Sequence, residues 1–237
     1  MNPEDKLIVA LDYEEESQAL ELAKRLEGRV KYFKVGSQLF TARGAGIIEK
    51  LRAGGAEVFL DMKFHDIPNT VAGAVASACG LGVFMMTMHA TGGPEMLSRA
   101  RQAAEKAAGG GRRPILLAIT VLTSMNAETF GRIGFKRDIR ESVLALAEMA
   151  KESGMDGVVS SPEETGALRA KLGPQFTLVT PGIRPKGSDV GDQKRIATPS
   201  SAIAAGADYL VVGRPITAAA DPVKACEAIL AEIKGAL

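Results

Sequence analysis

The feature that most constrains this chain is an alternation. Short apolar runs rich in β-branched residues recur along it, and a longer segment with helical spacing follows almost every one. The runs Leu7–Asp12, Tyr32–Gly36, Val58–Lys63, Val83–His89, Ile115–Val121, Gly157–Ser160, Thr177–Thr180 and Tyr209–Gly213 predict eight strands. They are nearly continuous in apolar character, as parallel strands covered on both faces must be. Helical patterns fall at Ser17–Leu26, Ile47–Arg52, Glu95–Ala107, Ile139–Glu152, Glu163–Leu172 and Pro222–Lys234. Ser17 is placed to cap the first helix, and Asp221-Pro222 reads as a cap followed by proline at the first helical position. Gly54-Gly55, Gly109–Gly111 and Gly154 fall where helices should stop. The Gly109–Arg113 segment is the best candidate for a break, but strand patterning resumes at once, so it reads as a helix-to-strand loop on the bottom face.

Eight strand–helix units in 237 residues predict a (β/α)8 barrel, one domain spanning residues 1–237. The alternative, a doubly wound open sheet, usually uses fewer strands. Lys and Arg number 29 and Asp and Glu 28, for a net charge of +1. Such a balance offers no electrostatic footprint for nucleic acid or an acidic membrane. No stretch reaches the roughly 18 apolar residues of a membrane helix, and Met1–Leu11 lacks a basic region followed by a long apolar run. The two cysteines, Cys79 and Cys226, sit in apolar helical contexts and read as reduced core thiols. The expected location is the cytoplasm.

A barrel places its chemistry at the C-terminal ends of its strands. The polar residues of this chain track those ends. Asp12 closes the first predicted strand, Lys34 lies late in the second, and Asp61 and Lys63 end the third. His89 ends the fourth, Thr123 follows the fifth and Arg214 follows the eighth. Asp61 and Lys63 are two apart on a strand and so share a face, while Leu60 and Met62 point to the helix layer. Opposite charges at the end of a buried strand need a reason. A structural ion pair would suffice for Asp61 and Lys63 alone. Lys34 on the adjacent strand, and Asp66 three residues after Lys63, make an alternating set of two cations and two anions. Such a set keeps each charge ionised while leaving it poorly solvated.

The segment Phe59-Leu-Asp-Met-Lys-Phe-His-Asp-Ile-Pro-Asn-Thr-Val71 resembles the signature of the orotidine 5′-monophosphate decarboxylase family. The resemblance extends over essentially the whole chain, through Leu7–Asp12, Phe33–Gly36, Val121–Ser124, Thr180–Pro185 with Gly191–Arg195, and Val211–Ile216. Met62 stands where the family pattern has Leu, on the outward face and nearly isosteric. The resemblance implies a cofactor-free enzyme, with no metal, converting orotidine 5′-monophosphate to UMP and CO2 in pyrimidine biosynthesis. It implies that Lys63 donates a proton to C6, that Asp61 lies against the scissile carboxylate, and that Lys34 and Asp66 complete a charged tetrad. Asp12 and Lys34 would bind ribose hydroxyls. Thr123, rather than Ser124, would contact the pyrimidine, and Arg184, Gln193, Gly213 and Arg214 would surround the phosphate. Asp66 and Thr70 would reach into the partner's site, which implies an obligate homodimer.

The chemistry suits these residue types. Loss of CO2 leaves a carbanion whose lone pair lies in the ring plane, out of reach of the π system, so preoriented charge must stabilise it. The long Ile183–Thr198 segment, rich in Gly, Pro and charge, reads as a lid on the phosphate. His65 and His89 are the only histidines and lack a zinc spacing; they read as an orienting group and a polar residue at the barrel mouth. Glu14–Glu16 read as a solvated helix start, and Met85, Met86 and Met88 as core filler. Two other readings compete. One is a metal-dependent sugar-phosphate decarboxylase or epimerase on the same barrel; the other is a phosphate-binding barrel without catalysis.

Overall fold

The computed structural model describes residues 2–185 and 196–237. Among these, eight parallel strands close into a barrel in sequence order, each paired with its neighbours and the eighth with the first. The strands are β1 (Leu7–Ala10), β2 (Tyr32–Gly36), β3 (Glu57–Phe64), β4 (Met85–His89), β5 (Ile115–Ile119), β6 (Gly157–Val159), β7 (Thr177–Thr180) and β8 (Tyr209–Val212). The open-sheet alternative is excluded by that closure.

The outer layer is helical. It comprises α1 (Glu16–Arg25), α2 (Ser37–Arg43), α3 (Gly46–Ala53), α4 (Pro68–Gly80), α5 (Gly93–Ala108), α6 (Ala127–Arg132), α7 (Ile139–Glu152), α8 (Pro162–Leu172), α9 (Pro199–Ala204), α10 (Arg214–Thr217) and α11 (Pro222–Lys234). Asp221 caps α11 as expected, accepting from the N–H groups of Val223 and Lys224. The Ser17 cap is not formed: α1 starts one residue earlier, and Glu15 occupies the cap position without a side-chain bond. The acidic run before it is not merely solvated. Glu15 pairs with Arg43 at 2.6 Å and Glu16 pairs with Lys50, tying α1 to α2 and α3.

Strand alternation divides the core in two. Ile8, Phe59, Met85, Leu117, Val179 and Val211 point inward and fill the barrel. Leu7, Val9, Leu60, Met86, Leu116 and Leu210 point outward against the helices. Tyr32, Phe84 and Tyr209 close the lower end, with Tyr32 stacked on Phe84 at 4.6 Å and edge-on to Tyr209 at 5.7 Å. Inward positions of β2 and β3 switch from these aromatics to Lys34 and Asp61 toward the C-terminal end. The register that buries the core therefore lifts the charges to the top.

Candidate active site

Lys34 and Asp61 occupy adjacent strands two residues apart in register, Gly36 lying opposite Asp61. Both residues are nearly inaccessible, at 9% and 8% exposure. The Lys63 ammonium lies 2.7 Å from Asp61 Oδ2, and the Lys34 ammonium lies 3.7 Å from the same oxygen. Lys34 turns its other side to Asp12, whose Oδ1 accepts at 2.9 Å. A Cβ at position 36 would stand 3.0 Å from Lys34 Nζ and 3.3 Å from Asp12 Oδ1, so glycine there leaves room for the pair. Burial alone would push the Asp61 carboxyl up, but Lys34 and then Lys63, with hydrogen bonds from Lys63 and Thr87, hold it below its ordinary range.

β3 does not run straight to this array. Leu60 pairs with Met86 but Phe64 pairs with Met88, so four residues of β3 span two of β4. Inside this bulge Lys63 has φ of 52°, the only positive φ among described non-glycine residues. Such a conformation costs about 1–3 kcal/mol and persists where its surroundings fix it. Here the Lys63 N–H donates to Thr87 Oγ1 at 2.9 Å, and Thr87 Oγ1 donates to Asp61 Oδ1 at 2.9 Å. Simple alternation puts residues 61 and 63 on one face; the structure brings them together through a left-handed turn.

Beside the charges is a cavity of about 160 Å³. Phe59, Ile119, Val121, Val159 and Val211 supply apolar walls, Lys34, Asp61 and Lys63 one end, and Thr123 and Ser160 further polar groups. Ser160 Oγ is buried with no hydrogen-bond partner among the described residues. Larger spaces, of about 420 Å³ beside α1 and α3 and about 600 Å³ at the lower end near Asp156, lie away from the C-terminal ends of the strands.

The other sequence-derived residues among those described do not line that cavity. Gly213 follows β8, with its added Cβ position 3.9 Å from Asp12 Oδ2, and Arg214 begins α10. Arg184 is buried, with Nη1 donating to the Ile183 carbonyl at 2.9 Å. The base of the long loop is cinched there: Arg184 N–H donates to Ala197 O at 2.8 Å and Ala197 N–H to Gly182 O at 3.3 Å. Gln193, and the middle of the loop read as a lid, lie outside the described residues. Asp66 and Thr70 are exposed, and Asp66 Oδ1 accepts from its neighbour Ile67 N–H at 2.6 Å. Within one chain, then, Lys34, Asp61 and Lys63 converge, while Asp66 makes no ion pair among the described residues. Ile67 beside it is 66% exposed.

One contributor and one pairing were not legible in the sequence. Thr87 sits in the run Met-Met-Thr-Met, where the methionines are core as expected, and nothing marks its hydroxyl. His65 and His89, read singly, lie against each other with ring centroids 5.3 Å apart and planes tilted by 38°. Burial, then His65, then Lys63 push the His89 imidazole below its ordinary pKa, against an opposing pull from Asp61.

Residues 5–229 match the family described as Orotidine 5'-phosphate decarboxylase / HUMPS family. The chain belongs to that family. It is 51% identical over 229 residues to the orotidine 5'-phosphate decarboxylase of Trichlorobacter lovleyi, covering 97% of this chain and 95% of that one. The enzyme of the same name from Halorhodospira halophila is 52% identical over 231 residues, covering 98% and 97%. In three dimensions the chain superimposes on orotidine 5'-phosphate decarboxylase from Lactobacillus acidophilus with a TM-score of 0.87 at 40% identity, over 97% of this chain and 99% of that one. Both sequence relatives carry the decarboxylase name over nearly their whole length, so the decarboxylase side of the family description, not a sugar-phosphate enzyme, is the side this chain resembles.

Proposed function

We propose that this chain decarboxylates orotidine 5′-monophosphate to UMP and CO2, a step of pyrimidine biosynthesis, without a cofactor. The observation that carries the reading is the Lys63 ammonium held 2.7 Å from a buried Asp61 that Lys34 also faces, at the end of an apolar slot. The pyrimidine ring lies in the slot with C6 toward Lys63 and its carboxylate toward Asp61. The C6–carboxyl bond breaks, its electron pair stays on C6, and neutral CO2 departs. Lys63 then transfers a proton to C6 and regains one from solvent. Charge already oriented by the fold stabilises the carbanion without reorganisation, the effect that counts most in such sites. Repulsion between Asp61 and the substrate carboxylate adds a smaller contribution that vanishes as CO2 leaves.

The other roles follow the site's layout. Asp12 and Lys34 hold ribose hydroxyls, Thr123 contacts the ring, and Arg184, Gln193, Gly213 and Arg214 grip the phosphate. Phosphate binding energy, remote from C6, then helps to organise the charges. The active unit is a homodimer in which Asp66 and Thr70 enter the partner's site. Support comes from the exposed Asp66, Ile67 and Thr70 and from Asp66 making no ion pair among the described residues, its carboxylate accepting from the neighbouring Ile67 N–H. The reaction belongs to the cytoplasm, where the free thiols Cys79 and Cys226 stay reduced.

The test is the absorbance of orotidine 5′-monophosphate after mixing with the protein. The wild-type chain is expected to consume it and Lys63→Ala to leave it unchanged on the same timescale. A wild-type protein without turnover overturns the proposal.

A further inference from the structure

One hydroxyl touches both members of the Asp61–Lys63 pair. Thr87, in the middle of β4 and fully buried, accepts the Lys63 backbone N–H and donates its only proton to Asp61 Oδ1, both at 2.9 Å. The bulge leaves the Lys63 N–H turned to this hydroxyl, in the one described non-glycine residue with left-handed backbone. Thr87 also divides the labour of the carboxylate. Oδ1 is taken by the hydroxyl, so Oδ2 alone faces the two ammonium groups.

We infer that Thr87 is a positioning residue for the reaction: it fixes the backbone that launches the Lys63 ammonium and the rotamer of the carboxylate facing it. The inference rests on the decarboxylase reading for its kinetic consequence and on geometry for the clamp itself. A side chain that merely filled space could be Val, which has the same shape and would match the methionines on either side. A displacement of the pair by a fraction of an ångström leaves substrate binding largely intact but moves the ammonium off the line to C6, where geometry is most sensitive.

Thr87→Val and Thr87→Ser are the informative variants. Thr87→Val is expected to lower kcat by about tenfold to a hundredfold with KM within about threefold. Thr87→Ser, which keeps the hydroxyl, is expected to recover kcat to within about threefold of wild type. Thr87→Ala is scored in the same way should the valine variant not fold. The clamp is also read without substrate, by following the Asp61 carboxyl with carbon NMR in the ligand-free protein. Asp61 is faced by Lys34 from β2 and Lys63 from β3, with Asp12 behind Lys34 and His89 on β4. Against that unchanged background, loss of the Thr87 hydrogen bond is expected to raise the titration midpoint in Thr87→Val and not in Thr87→Ser. A valine variant with kcat within about twofold of wild type, or a loss that serine does not recover, overturns the positioning role. An unshifted Asp61 titration overturns the clamp. A wild-type protein without turnover overturns instead the decarboxylase reading, and the NMR result then decides the clamp alone.

Discussion

The two ends of the barrel both carry buried or half-buried charge, and they treat it differently. At the lower end, Asp156 precedes β6 and is saturated: Arg113 grips it with both Nη atoms at 2.5 and 2.7 Å, Arg101 adds a contact at 3.1 Å, and the Leu116 N–H donates at 2.8 Å. Asp208, before β8, is held through Oδ2, which accepts from Arg169 at 2.6 Å and the Leu178 N–H at 2.8 Å, while Lys6 stands 4.0 Å from Oδ1. At the upper end the cations are lysines, not bidentate arginines. Two ammonium groups share one oxygen of Asp61, and among the described residues the Lys63 ammonium has one protein acceptor for three donors. Below, left-handed backbone falls on glycines such as Gly154 and Gly206; above, it falls on Lys63. Ion pairs that satisfy every donor stiffen a fold; ion pairs left underused beside a slot keep capacity for a ligand, at a cost in stability.

That contrast can be broken by substitution. The largest effect belongs to the upper end. Lys63→Ala is expected to lower kcat by on the order of 10⁴-fold or more, since in the proposed mechanism it removes both the proton donor and the charge facing the carbanion. Its melting temperature should stay within a few degrees of wild type, because the pair it breaks is one-third exposed at the lysine. A melting temperature that collapses with activity would make the upper array structural, like the lower one. Next comes complementation. Lys63→Ala and Asp66→Ala homodimers are each expected to be nearly inactive, and mixing equal amounts through subunit exchange should restore about a quarter of wild-type activity, since half the dimers regain one intact site of two. No recovery in exchanged mixtures would sever Asp66 from the partner's site.

The lower end should respond in the opposite sense. Asp156→Ala is expected to cost about 1–3 kcal/mol, the partial exposure of the pair reducing what full burial would give, and so lower the melting temperature by roughly 2–10 °C. Its kcat should remain within about twofold of wild type. Calorimetry and steady-state kinetics on the same preparation check both halves.

The smallest effect concerns pH. His89 has a folded pKa below the ordinary 6.5, chiefly from burial. Protons therefore bind the unfolded chain more readily, and this site's stability contribution declines as pH falls from about 6.5 toward the lower folded value. Asp61 works in the same sense at lower pH: its pKa is depressed, so its contribution is fully present above about 3.8 and is lost as pH falls from there toward the lower folded value. Proton NMR of the two histidines should show His89 titrating below 6.5, and His89→Asn should flatten the stability profile just below that pH.

Much of this architecture was legible because parallel barrel strands carry their signal in composition. β2 and β7 fall where the apolar runs put them, and α7 and α11 match residue for residue. α4 was missed because Pro68–Gly80 is dominated by small residues whose apolar face is weakly marked; α6, α9 and α10 are too short for periodicity to register. The charged site was legible as residue types at strand ends. What period-two alternation could not convey is the bulge between Leu60 and Phe64, since it exists only in the pairing of β3 with β4. Thr87 was hidden for the same reason: its importance lies in what the bulge brings against it.

Protonation at C6 is reversible in principle, so the carbanion can be sought from the product side. In deuterium oxide, with UMP and the wild-type protein, the H6 resonance of UMP should fade slowly by exchange. With Lys63→Ala it should persist over the same period. Equal fading in both samples, or in neither while decarboxylation proceeds, would contradict the role given to the ammonium poised over Asp61.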